Sequence, residues 1–326
     1  MAIAQRFRDT HVEFANGSFG QTINVASANP VNYWQVISDP GRMPPAAIDG
    51  KLFLPSESTG AATSRHALVI VVPGSFGIAL SHVRHAETLN GLGIATFVLD
   101  PFGGRSVAST VADQTQYSFA ASAYDVLAAL KVLAAHPRID PARIGAQGHS
   151  RGGSAVLTAA TSRFSRAVLG GMAPLTAVYA AYPWSGHQFL APGVGTTRVR
   201  AVIGDRDDWC LPQQVQAHMQ AIRLAGGNAG FRLVAGAAHS FDRGTAVENI
   251  GDASVSPAAP TIYIEDDGSL VHPLADRGDR ALVDRDLMVY GVKAGYGRKG
   301  AAIGSQGDDA ALFRADMETF WRAAFC

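Results

Sequence analysis

The chain reads as an α/β protein, with a mostly parallel central sheet flanked by helices on both faces. Three observations predict this. The run "ALVIVVPG" at 67–74 is continuously apolar and β-branched, as strands buried on both faces are, and it stops at Pro-Gly. Such runs alternate with helical stretches, the pattern of strand–helix–strand units. The 326 residues, 47% hydrophobic and 17% charged, describe an ordinary globular protein able to bury a large core.

The elements follow in order. The first 50 or so residues, including "VNYWQVISDPGRMPPAAIDGKLFLP", read as antiparallel edge strands leading into the sheet. After the strand at 67–74, "SHVRHAETLNGLG" is a helix ending at Gly91 or Gly93, and "IATFVLD" is the next strand. "YSFAASAYDVLAALKVLAAH" is a long Ala- and Leu-rich helix, followed by the short strand "RIGAQG" and the helix "RGGSAVLTAATSRF". "TAVYAAYP" and "VRAVIGD" are two further strands. "LPQQVQAHMQAIRLAGG" is an amphipathic helix with Pro near its start and Gly at its end, as helix termini prefer. "FRLVAGAAH" is another strand with the loop that leaves it, and "ALFRADMETFWRAAF" is the final helix. The segment from Arg243 to about Asp309 breaks the rhythm, and within it "TIYIEDDGSLVH" reads as a hairpin around Asp-Gly. The expected organisation is a single domain over 1–326, with an N-terminal edge-strand extension (about 1–60) and an insertion (about 243–308) before the last helix.

Composition narrows the functions. Lys+Arg and Asp+Glu both number 27, which gives no electrostatic reason to expect a nucleic acid or an anionic membrane as partner. No apolar run approaches the length of a membrane span, and the start "MAIAQRFRDT" lacks the apolar core of a signal peptide. Two cysteines, Cys210 and Cys326, allow one bridge at most; two free thiols in a reducing compartment are expected, hence a cytoplasmic protein, monomer or homodimer. No zinc-ligand spacing, Walker pattern or dinucleotide fingerprint stands in a fitting context, so no metal and no cofactor are expected. The acidic "EDD" lacks the ligand spacing of a calcium loop.

The chemistry centres on "IGAQGHSRGGSAV", which contains Gly148-His149-Ser150-Arg151-Gly152. With 35 glycines in the chain this G-x-S-x-G match means little alone. Its setting carries it: Ser150 lies between a predicted strand and a predicted helix, where a sharp turn lifts the hydroxyl clear of the sheet. The helix N-terminus also offers free N–H groups to a developing oxyanion. An activated serine needs a base, and the base needs an orienting carboxylate. In this architecture both belong on loops at the C-terminal ends of later strands.

"VRAVIGDRDDWC" places Asp205, Asp207 and Asp208 on one such loop, and "FRLVAGAAHSFDR" places His239 on the next. The order Ser, Asp, His is that of an α/β-hydrolase, and gaps of 57 and 32 residues leave room for the elements between. Among other histidines, His218 sits in a predicted surface helix, His149 points away from its neighbour, and His187 and His272 follow no core strand. Asp205 is placed to tie the turn, and Asp208 reads as a solvated neighbour. A second oxyanion donor is expected in "VVPGSFGIAL", from the N–H of Ser75 or alternatively Phe76, joining that of Arg151. Phe76, Phe102, Tyr182, Trp184 and Trp209 are candidate pocket aromatics; of these Phe76, Trp184 and Trp209 are the expected substrate contacts.

"PGSFG", "GHSRGG", "GDRDDW" and "GAAHSFDR" together resemble the dienelactone hydrolase family of α/β-hydrolases, over about residues 50–242 and the last helix. In that family the acid stands three residues after the glycine ending its strand, so the resemblance selects Asp207, after Gly204, and supports His239. Two departures matter. Dienelactone hydrolases use a cysteine nucleophile where this chain has Ser150, and a glutamate where it has Gly74. Both argue against dienelactones and for a serine esterase acting on small-molecule or polymer esters. The competing expectations are a serine peptidase of prolyl-oligopeptidase type, without the propeller-sized region such enzymes carry, and an inactive hydrolase-fold binding protein, which predicts a broken triad.

Overall fold

The computed structural model of the protein describes residues 6–56 and 65–326. The outer ends of the expected N-terminal extension, residues 1–5 and 57–60, lie outside them. Eight strands form the main sheet: β1 (Gln21–Ala28), β2 (Pro45–Phe53), β3 (His66–Val72), β4 (Ala95–Asp100), β5 (Ile139–His149), β6 (Ala177–Ala181), β8 (Arg198–Gly204) and β9 (Ala229–Val234), in the order β1-β2-β4-β3-β5-β6-β8-β9. From β4 to β9 all neighbours run parallel, while β1–β2 and β2–β4 are antiparallel, as the edge-strand reading of the N-terminus requires. That stretch also holds α1 (Tyr33–Ser38), unexpected from its pattern and started by Asn32, whose side chain accepts from Gln35 N.

Continuous burial of β3 and β4 requires cover on both faces. On one face α2 (Leu80–Asn90) and α8 (Asp309–Phe325) pack together. On the other lie α3 (Phe119–Ala134), α4 (Arg151–Ala160) and α5 (Ser162–Leu169). The predicted helix "RGGSAVLTAATSRF" is thus two helices. Thr161 takes extended backbone (φ −64°, ψ 124°), and Ser162 N turns to Gly193 O at 2.7 Å, so the ladder breaks between them. The last helix is tied to the sheet by charge as well as by burial: Arg200, Arg232 and Tyr179 all bond the Asp316 carboxylate.

β7 (His187–Phe189) runs parallel to β11 (Ile262–Ile264), which pairs with β12 (Leu270–Val271) as the predicted Asp-Gly hairpin; β13 (Gly278–Asp279) adds to its far edge. β10 (Glu248–Val255) and β14 (Arg298–Ile303) form a separate ribbon, and α7 (Asp284–Lys293) stands between the two sheets in sequence. The helix α6 (Pro212–Leu224) follows β8 as expected, but His218 on it is buried rather than at the surface.

Candidate active site

The turn joining β5 to α4 explains why the sequence reads Gly-His-Ser-Arg-Gly. Ser150 has φ 54° and ψ −115°, a backbone that L-residues adopt only at a cost of order 1–3 kcal/mol. The flanking glycines make it possible. A Cβ on Gly148 would stand 2.0 Å from Gly152 O, and one on Gly152 would stand 2.4 Å from Val72 O. Either methyl would force strand and helix apart.

The three loops converge as the chain order predicts. His239 Nε2 lies 3.0 Å from Ser150 Oγ, and His239 Nδ1 lies 2.7 Å from Asp207 Oδ2. The second carboxylate oxygen of Asp207 accepts from the N–H groups of Trp209 (3.0 Å) and Cys210 (2.9 Å), which fixes its rotamer. Trp209 then stacks on His239, with centroids 5.2 Å apart, and its indole N–H bonds Ala302 O at 2.8 Å. Among the rejected acids, Asp205 does not tie its own turn; it accepts from Gly236 N at 2.6 Å and so links its loop to the turn after β9. Asp208 is not a solvated bystander. It accepts from Ala302 N and pairs with Arg298 at 3.2 Å, so it anchors the 243–308 segment beside the site.

Ser75 and Gly74 form the facing loop. Gly74 bridges to Gly77, and the Ser75 carbonyl accepts from Thr110 N at 2.8 Å, holding the turn in place. A Cβ at Gly74 would lie 3.2 Å from that of Ser150, so this loop passes close to the serine. Arg151 opens α4, where helices leave backbone N–H groups without intrahelical partners. Its guanidinium is turned away and buried, bonding Ser122 Oγ, Gln114 O and Tyr117 O.

Ser150 opens on a cavity of about 400 Å³. Trp184 and Trp209 line it. Phe76 instead lines a recess of about 30 Å³ that also reaches Ser150 and His239, with His82, Tyr182 and Arg243. Phe102 packs on Tyr117 and lines neither space. More than half of the large cavity's lining comes from residues 254–299, including Val255, Pro260, Ile262, Leu287 and Val292.

Behind His239 lies a second polar group that sequence reasoning missed. His85 Nε2 and Asp242 Oδ2 are 2.7 Å apart; Tyr182 OH donates to Asp242 Oδ1 at 2.7 Å and meets His149 Nδ1 at 2.9 Å. Burial pushes the Asp242 carboxyl up, but the hydrogen bond and charge of His85 outweigh it and hold the group well below the usual range. Burial, then His82, pushes His149 well down, and burial lowers His82 to about 4. The signal available was Asp242 itself, three residues after His239 in "AHSFDR". Two groups of side chains among the described residues gather metal-ligating atoms: His85, His149 and Asp242, and Asp207, Cys210 and His239. In both, a histidine–carboxylate hydrogen bond already engages the ligand atoms. Cys210 is a buried free thiol, and Cys326 an exposed one.

Residues 81–182, which include the serine turn but end before Asp207 and His239, match the prolyl oligopeptidase family. Among solved structures, the one described as m3DLH superposes on 94% of this chain and 99% of its own length, at 18% identity and a TM-score of 0.55. The chain has the α/β-hydrolase fold. This hydrolase fold also matches a dienelactone hydrolase-like promiscuous phosphotriesterase from metagenomic libraries, over 68% of this chain and 85% of that one (19% identity, TM-score 0.46). A thermophilic esterase from Thermogutta terrifontis matches over 66% and 84% (15% identity, TM-score 0.47). The search of curated proteins gives no match. No helix among the described residues is long and apolar enough to cross a membrane.

Proposed function

We propose that the protein is a serine hydrolase that cleaves carboxylic esters through an acyl-enzyme. The observation that carries this reading is the unbroken chain from Ser150 Oγ through His239 to Asp207, at 3.0 and 2.7 Å, opening on a mostly apolar cavity. His239 Nε2 takes the Ser150 proton as Oγ attacks the ester carbonyl, and Asp207 holds Nδ1–H and the resulting imidazolium. The N–H groups of Ser75 and Arg151 receive the oxyanion. His239 returns the proton to the leaving alcohol, and water attacks the acyl-serine by the same route. Residues 243–308 serve as an insertion that roofs this site.

A second reading, a serine peptidase, is favoured by the match of residues 81–182 to the prolyl oligopeptidase family. Purified protein is assayed against p-nitrophenyl acetate and a peptide p-nitroanilide, with fluorophosphonate labelling alongside. Ester turnover and labelling that both vanish in Ser150→Ala support the esterase. Turnover of the anilide alone favours the peptidase, and no labelling overturns both.

A further inference from the structure

The cavity before Ser150 carries one polar feature that the proposed triad chemistry does not use. His187, in β7, lines it among Phe119, Trp184 and Ile262, and is 8% exposed. Its Nδ1 meets Tyr33 OH at 3.1 Å. Its Nε2 has no hydrogen bond among the described residues, yet is not among their sealed, unpartnered atoms; it therefore faces the cavity.

The network behind the ring sets its tautomer. Burial keeps the Tyr33 phenol protonated, and among the described residues the hydrogen bond to His187 is the one at the phenol oxygen. The phenol O–H must then donate to His187 Nδ1, since the opposite arrangement leaves a buried O–H with no acceptor. The proton of His187 thus sits on Nε2, pointing inward. Burial lowers the imidazole to about 3, so it donates as a neutral group. Asp284, also lining the cavity, lies with Oδ1 4.0 Å from Nδ1 and disfavours an anion there. A carbonyl only accepts, which matches an inward N–H.

We propose that His187 is a specificity-determining residue: its Nε2–H binds a second, uncharged carbonyl on the apolar arm of the ester, so the preferred substrates are oxo-esters or diesters. This rests on the esterase reading above. The test compares p-nitrophenyl 5-oxohexanoate with p-nitrophenyl hexanoate. Wild type should prefer the oxo-ester by about tenfold in kcat/KM, the worth of one net hydrogen bond in a dry site. The ratio should approach one in His187→Phe, with thermal unfolding as the folding control, and recover in part in His187→Gln, whose amide donates. Tyr33→Phe, which frees the tautomer, should lower it by a smaller factor. No preference in wild type, the same ratio in His187→Phe, or a stronger preference for the 5-hydroxy ester overturns the assignment. Failure to hydrolyse either ester, with no fluorophosphonate labelling, overturns the esterase reading instead.

Discussion

Two histidine–aspartate pairs sit back to back in this molecule, with Tyr182 between them. His239–Asp207 and His85–Asp242 have the same N···O separation of 2.7 Å and both are buried. Their surroundings differ. His239 has Ser150 Oγ on its other nitrogen and the large cavity beyond, while Asp242 spends its second oxygen on Tyr182, itself bonded to His149. What separates the two is a serine hydroxyl on a strained turn facing open space.

Variants that break one pair and spare the other should separate these roles. The largest effect is expected from Ser150→Ala, a loss of about 10⁶ in kcat with stability little changed, read with p-nitrophenyl acetate. Asp207→Asn should follow at about 10⁴ in kcat, because the amide favours the wrong His239 tautomer. Asp242→Asn should invert the pattern. Breaking the sealed pair costs about 3–5 kcal/mol in urea unfolding, with kcat within tenfold of wild type; a kcat loss as large as that of Asp207→Asn would show that the two pairs act as one.

The smallest effect sharpens the comparison from a third histidine. His218 on α6 has no acid partner among the described residues, and burial alone lowers it to about 4. Its folded value lies below the unfolded value of about 6.5. The unfolded chain therefore binds the proton first, and the stability from His218 is complete above pH 6.5 and lost as pH falls toward 4. His218→Leu should remove up to about 1.4 kcal/mol per pH unit from the slope of unfolding free energy across that window. An unchanged slope would refute the buried, neutral assignment. Asp284, raised to about 6 chiefly by burial, titrates with the opposite sign in both proteins and cancels in the comparison.

Much of the scaffold was legible because its signals are local. The run at 67–74 could only be a strand covered on both faces, and Pro and Gly mark the ends of α6 where they were read. Ser150 was legible for a similar reason, since a turn this sharp excludes side chains at Gly148 and Gly152. Asp207 was not separable from Asp205 and Asp208 by pattern; a family resemblance chose it, and the three meet different distant groups: His239, Gly236 and Ala302. Thr161 divides a helix that its periodicity ran together, because the break depends on Gly193, 32 residues away.

The cavity was the least legible part. Phe119, His187 and Leu287 come from separate segments, and none belongs to a motif. His187 was set aside because it follows no core strand, yet β7 becomes a strand only by pairing with β11, 75 residues later (Ile262 opposite His187). By itself, the sequence determined the alternation of strands and helices, the serine turn and the order of its partners, all of which follow from periodicity and steric limits within a few residues. Tertiary structure alone decided which histidine meets the serine, which is sealed behind it and which faces the cavity, because burial and hydrogen-bond partners are properties of segments brought together from far apart in the chain.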